Sequence, residues 1–172
     1  MIKSQGIEQK RVDKQPDTIH VALYKPEIHP NAGNIARLCA ANELPLHLVG
    51  NLGFRIDDRS IRRAGLDYWP FVDLRREADL VELKSGLPQS RFFYFSARAE
   101  HLYTDIAFRN GDCLVFGPES SGFPEEFLRE NWDHALRIPM RSPHVRSLNM
   151  ATAVGIVVYE ALRQLALNAD SF

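Results

Sequence analysis

The sequence is poor in cysteine: Cys39 and Cys113 are its only two, far apart and in apolar surroundings. That suits two buried thiols in a reducing compartment, and argues against a disulfide framework or a cysteine metal site. No apolar run reaches the length of a membrane span. Residues 1–18 lack the apolar centre of a signal peptide. A cytoplasmic protein with no membrane partner is therefore expected. Charge of one sign is not in excess either: 21 Lys and Arg stand against 22 Asp and Glu, a net charge of -1. This argues mildly against a strong non-specific binder of nucleic acid. The six histidines are scattered, none at ligand spacing from a Cys or Glu, so no metal is expected. G-x-G-x-x-G, G-x-S-x-G, P-loop and zinc-deaminase signatures are all missing. There is no internal repeat and no low-complexity segment.

What is present is a chain of 172 residues, 45% hydrophobic, enough for one domain with a full core. Residues 1–18 are polar and of mixed charge and read as a flexible N-terminal extension; residues 19–172 read as a single domain. Short apolar runs rich in β-formers predict strands at 19–24 (IHVALY), 46–49, 91–95 (RFFYF), 113–116 (CLVF) and 135–138. Residues 69–72 are a further strand candidate. Helices are predicted at 31–42, from Asp57 and Asp58 towards Gly65, at 75–84, after Pro124, and at 148–166. Residues 25–30, with two prolines, read as a loop. The last helix is apolar nearly all round and needs cover on several sides, which a partner subunit would supply. Alternating strands and helices imply an α/β fold with a mainly parallel sheet, where ligands bind beyond the carboxyl ends of strands.

Three segments after predicted strands carry candidate chemistry. Residues 31–37 (NAGNIAR) open a helix whose free N–H groups can hold an anion, and Asn34 and Arg37, three apart, project from one side. An ordinary cap with a surface arginine fits as well. Residues 116–122 (FGPESSG) put Gly117 directly after a buried strand, where a ligand can approach the backbone, and Glu119 has the chemistry for a cation or a hydroxyl. A plain tight turn fits as well. In residues 138–149, Ser147 is placed to cap the last helix. His144 in this loop has the chemistry of a base, or of a solvated loop histidine. Arginines crowd at 55–76, including Arg62 and Arg63, and again at Arg137, Arg141 and Arg146. They suit phosphate contact or a solvated helix face.

Read together, YKPEI with PNAGNIARLCA, RRAGLDY, FGPE, RIPM and RSLN with VVYE, in this order, resemble the SPOUT superfamily of RNA 2'-O-ribose methyltransferases. The likeness runs over residues 19–165, and RRAGLDY favours the TrmL type, the tRNA (cytidine(34)-2'-O)-methyltransferases. The resemblance implies helices on both faces of the sheet and a C-terminal trefoil knot, which physics alone would reject as rare. It implies S-adenosylmethionine as methyl donor, held by Phe95, Gly117, Ile138, Ser147 and Met140. It implies a homodimer, and tRNA as partner, methylated at position 34 on cytidine or a modified uridine. Arg37 matches the arginine that acts on the ribose hydroxyl. Asn34, Glu119, Asn149, Arg62 and Arg63 are then substrate-side residues. A methyltransferase for another tRNA or rRNA position and a non-catalytic RNA-binding dimer are the alternatives. Three departures stand out: Glu43 where the family has glycine, Thr152 where it has asparagine, and a longer loop holding His144.

Overall fold

The computed structural model describes residues 18–54 and 68–168. Arg62, Arg63 and the helix expected after Asp57 lie outside the described residues, as does the N-terminal extension except Thr18. Thr18 O already accepts a hydrogen bond from Gly111 N (2.9 Å). The strands are β1 His20–Tyr24, β2 Leu46–Val49, β3 Leu74–Glu77, β4 Phe92–Phe95, β5 His101–Leu102, β6 Cys113–Phe116 and β7 Ala135–Arg137. They form one sheet in the order β3-β2-β1-β6-β4-β7-β5, and every pairing is parallel.

The strand period of two divides the core between the faces. Val21, Leu23, Leu114 and Phe116 point to the side covered by helix α1 (His29–Ala41) and helix α4 (Met150–Asn168), meeting Ile35, Cys39, Val154 and Val158. Ala22, Val49, Cys113 and Val115 point to the other side, under α2 (Leu80–Gly86) and α3 (Glu125–Glu130), against Leu83, Phe123 and Leu128. Both sides being covered explains why these strands read as continuous apolar runs.

Residues 69–72 are not a strand: Trp69–Phe71 form a 3-10 turn around Pro70. The stretch 75–84 is not one helix but β3 followed by α2. β3 is an edge strand of one leucine and three charged residues, with Arg75 bonded to Asp73 and Glu77 to buried His47, so its apolar signal is weak. α2 begins at a cap: Asp79 accepts from Val81 N and Glu82 N at 2.8 and 2.9 Å. α1 starts earlier than expected, taking Pro30 into its first turn, where a missing N–H costs nothing. It ends with Glu43 N–H on Ala40 O and Leu44 N–H on Cys39 O, and Glu43 stands at φ +52°.

The connection 96–100 carries the chain from β4 to β5, across β7, which lies between them. Ser96 N–H bonds Leu136 O (2.9 Å), and Arg137 Nε bonds Glu100 O (3.4 Å). β7, the later strand, thus pairs between two strands that precede it in the chain.

Candidate active site

A cleft of about 840 Å³ opens beyond the carboxyl ends of β4, β6 and β7, between the loops that follow them and the starts of α1 and α4. Its floor is aromatic. Phe95 and Phe116 are register partners at the ends of β4 and β6, and their rings stack at 4.7 Å. Gly117 and Ile138 each follow the last residue of a strand, and Met140 lies two residues further. Phe95, Gly117, Ile138, Met140 and Ser147 all line this one cleft, together with Glu119 and Asn149.

Ser147 is not the cap of α4. Asn149 holds that place, its Oδ1 accepting from Thr152 N at 3.3 Å. The helix starts at Met150, two residues later than expected, so Ser147 is left in the exposed wall of the cleft. Asn149 Nδ2 also donates to Asn31 Oδ1 (2.9 Å), and Asn31 Nδ2 to Glu119 Oε1 (3.4 Å). Glu119 further accepts from Glu27 N (2.8 Å) and Ile28 N (3.1 Å), the N–H groups at the start of α1 that no residue of the helix itself caps. Glu27 returns the contact, its carboxylate accepting from Ser120 N and Ser120 Oγ, which holds its pKa below the usual range. Glu119 therefore serves first as the clasp between the glycine loop and α1.

The tight spot at Gly117 is internal. A Cβ there would stand 3.0 Å from Phe123 N and 3.1 Å from its ring. The close approach that glycine permits is to the loop's own return, rather than to a ligand. Gly122, at φ +63°, makes that return turn.

Asn34 and Arg37 are exposed and do not line the cleft. Arg37 follows Asn31 by six residues, which at about 100° per residue turns it roughly 120° away around α1. Its guanidinium lies over the Tyr68 ring (4.8 Å), whose hydroxyl donates to Gly33 O (2.8 Å). His144 is exposed and also outside the cleft. Of the second arginine cluster, Arg146 lines the cleft and Arg141 does not. Sequence reasoning passed over Asn31, buried with 6% exposure, and Arg98. A buried asparagine in a first helical turn was the available signal for Asn31; Arg98 had none. Both thiols are buried; burial raises Cys39 to about 12 and pushes Cys113 higher still, so neither is a nucleophile. Among the described residues, no group of three or more His, Cys, Asp or Glu is placed to hold a metal ion, and no helix is long and apolar enough to cross a membrane.

A covered parallel sheet with its cleft beyond the strand ends, walled by a glycine loop and a proline loop, defines an α/β protein that takes its ligand at this edge of the sheet. The chain belongs to the SpoU rRNA Methylase family, whose profile matches residues 18–159. The tRNA (cytidine(34)-2'-O)-methyltransferase of Aeromonas hydrophila is 42% identical over 148 residues, 86% of this chain and 94% of that protein. A solved structure described as giving structural insights into the 2-OH methylation of C/U34 on tRNA is 51% identical, with a TM-score of 0.80, and covers 88% of this chain and 99% of its own. An AdoMet-bound rRNA methyltransferase from Sinorhizobium meliloti is 26% identical, with a TM-score of 0.73, over 88% of this chain and 58% of that one.

Proposed function

We propose that this chain methylates the ribose 2'-hydroxyl of the tRNA wobble nucleotide, position 34, on cytidine or a modified uridine, with S-adenosylmethionine as donor. The observation that carries the reading is the meeting of three loops, after β4, β6 and β7, in one cleft. Relatives named for that reaction support it.

The cleft suits the donor. Its volume is in the range of small-molecule sites, its floor is aromatic and aliphatic, and strand pairing ends where Gly117 and Ile138 begin. Phe95, Gly117, Ile138, Met140 and Ser147 would hold it there. When bound, the donor supplies a methyl group on a positively charged sulfur, already activated for transfer. The chain's tasks are then alignment and charge. A guanidinium offers forked donors and a positive charge, so Arg37 orients the ribose hydroxyl and a phosphate and stabilises negative charge developing on the oxygen. Asn34 and Asn149 would contact the RNA in this reading, with Glu119 holding the glycine loop against α1; Arg62 and Arg63, which lie outside the described residues, are assigned to RNA contact with them.

Arg37 lies off the cleft of its own chain, and Gly155, Ile156 and Leu162 leave a half-exposed apolar flank on α4. Both support a homodimer in which a second copy covers this flank and brings its own α1 to the cleft. The crossing of 96–100 over β7 supports the C-terminal trefoil knot. The reaction is assigned to the cytoplasm. The test is incubation of the protein with methyl-labelled donor and total tRNA, followed by mapping of ribose methylation. Label at nucleotide 34 is expected; label confined to another position, or none, overturns the assignment.

A further inference from the structure

Three charged side chains line the cleft: Arg98, Glu119 and Arg146. The Glu119 carboxylate is engaged by Glu27, Ile28 and Asn31. Among the described residues neither arginine has a carboxylate partner, and the arginines in ion pairs are Arg75, Arg91 and Arg163. Both are exposed, and they differ in how they are held. Arg146 sits in the exposed loop before α4. Arg98 is tethered: its Nη2 donates to Phe123 O, and its backbone N–H donates to Ser96 Oγ at 3.2 Å. Phe123 is fully buried, its ring stacked on Phe127 and edge-on to Tyr94. Phe123 is also the residue that abuts Gly117. One corner of the guanidinium is thus anchored beside the glycine loop, and the rest of its planar fork has no acceptor among the described residues. A tethered guanidinium without a carboxylate partner among the described residues, on the wall of a cleft with a mixed polar and apolar lining, matches a carboxylate by both charge and shape.

We propose that Arg98 binds the carboxylate at the amino-acid end of the methyl donor. The assignment rests on the donor reading above. That reaction brings two kinds of anion, RNA phosphates and the donor's carboxylate. The tether to the buried residue beside Gly117 puts Arg98 with the donor walls, whereas Arg146 has no such tether among the described residues and is left to the RNA phosphates.

A guanidinium that only ties 96–98 to the 117–123 loop would affect every ligand of the cleft alike, and the experiment separates the two roles. Calorimetry compares S-adenosylhomocysteine, which has the carboxylate, with 5'-methylthioadenosine, which has the nucleoside and sulfur but no amino-acid end. Arg98→Gln is expected to weaken S-adenosylhomocysteine by about ten- to a hundredfold, the scale of one charge-assisted contact, and to leave 5'-methylthioadenosine unchanged. Arg98→Lys, which keeps the charge, should recover most of the loss. Equal weakening of both ligands by Arg98→Gln, or no weakening of S-adenosylhomocysteine, overturns the assignment. Wild-type protein that binds neither ligand overturns the donor reading itself, and Arg98 with it.

Discussion

Asn149 Nδ2 donates to Asn31 Oδ1 at 2.9 Å, joining the last helix to the first across 118 positions of sequence. The same side chain caps α4 through Thr152 N. Asn31 is buried, so removing its partner strands a polar group as well as a cap. Asn149→Ala is therefore expected to cost about 1–3 kcal/mol of unfolding free energy. Urea denaturation measures it, and a loss below about 0.5 kcal/mol would mean that water replaces both contacts.

Glu43 is the departure from the family pattern that the backbone explains. Its φ of +52° lies in the left-handed region at the end of α1, where glycine has no Cβ to strain. Glu43→Gly should raise stability by about 0.5–1 kcal/mol, the lower unfolded-state entropy of glutamate offsetting part of the relief. A lower thermal midpoint for the variant would show that the side chain's own contacts outweigh the strain.

On sequence grounds a side chain at Gly117, directly after a strand, is expected to block a ligand. The structure redirects that expectation, because the added carbon meets Phe123 at 3.0 Å, inside the loop. Even Gly117→Ala should lower the melting temperature and weaken donor binding together, as the loop is prised from β6. A variant that melts normally yet fails to bind donor in calorimetry would return the clash to the ligand.

His20 and His47 are 5% and 2% exposed, and they form a chain with Glu77: His20 Nδ1 to His47 Nε2 at 3.1 Å, and His47 Nδ1 to Glu77 Oε1 at 2.7 Å. Burial lowers the His20 pKa from 6.5 to about 4; His47 and Arg75 push the same way and Asp73 opposes them. The folded value lies below the unfolded one, so between them the unfolded chain binds more protons. Stability is then full above about pH 6.5 and falls as pH drops towards 4, by on the order of 2–3 kcal/mol. Urea midpoints from pH 7.5 to 4.5 test this. His20→Gln should flatten much of the slope, and an unchanged slope would assign it to other groups.

Arg37→Ala should lower methyl transfer at least about 10²-fold, the scale for losing one transition-state donor. Donor affinity should be nearly unchanged, because in this reading Arg37 acts on the ribose hydroxyl and a phosphate rather than on the donor. Arg37→Lys should fail too, since a point charge lacks the forked contacts. Single-turnover rates beside calorimetry separate the chemistry from binding. Near-normal turnover in Arg37→Ala would leave this arginine as a surface residue stacked on Tyr68.

Legibility followed physical context. β1, β2, β4, β6 and β7 were readable because a strand covered on both faces must be apolar throughout. β3 was not, because at the edge only Leu74 joins the core and its Arg-Arg-Glu sequence mimics a helix. Asp79 followed by Glu82 was the missed mark of a new helix. Ser147 was taken for a cap because serine suits one, yet Asn149 suits it equally, and only packing against Asn31 favours the later start.

By itself, the sequence determined the parallel α/β class and the loops that carry the site, because covered strands and glycine or proline turns leave local signals. Only the tertiary structure decided that those loops share one cleft, that Arg37 stands off it, and that Glu119 clasps α1. Each is a relation between residues far apart in the chain, where strand order and helix rotation set the distances and no local pattern records them. The same reason kept Arg98 out of sight. Its tether, Phe123 O, is supplied by a loop 25 positions away.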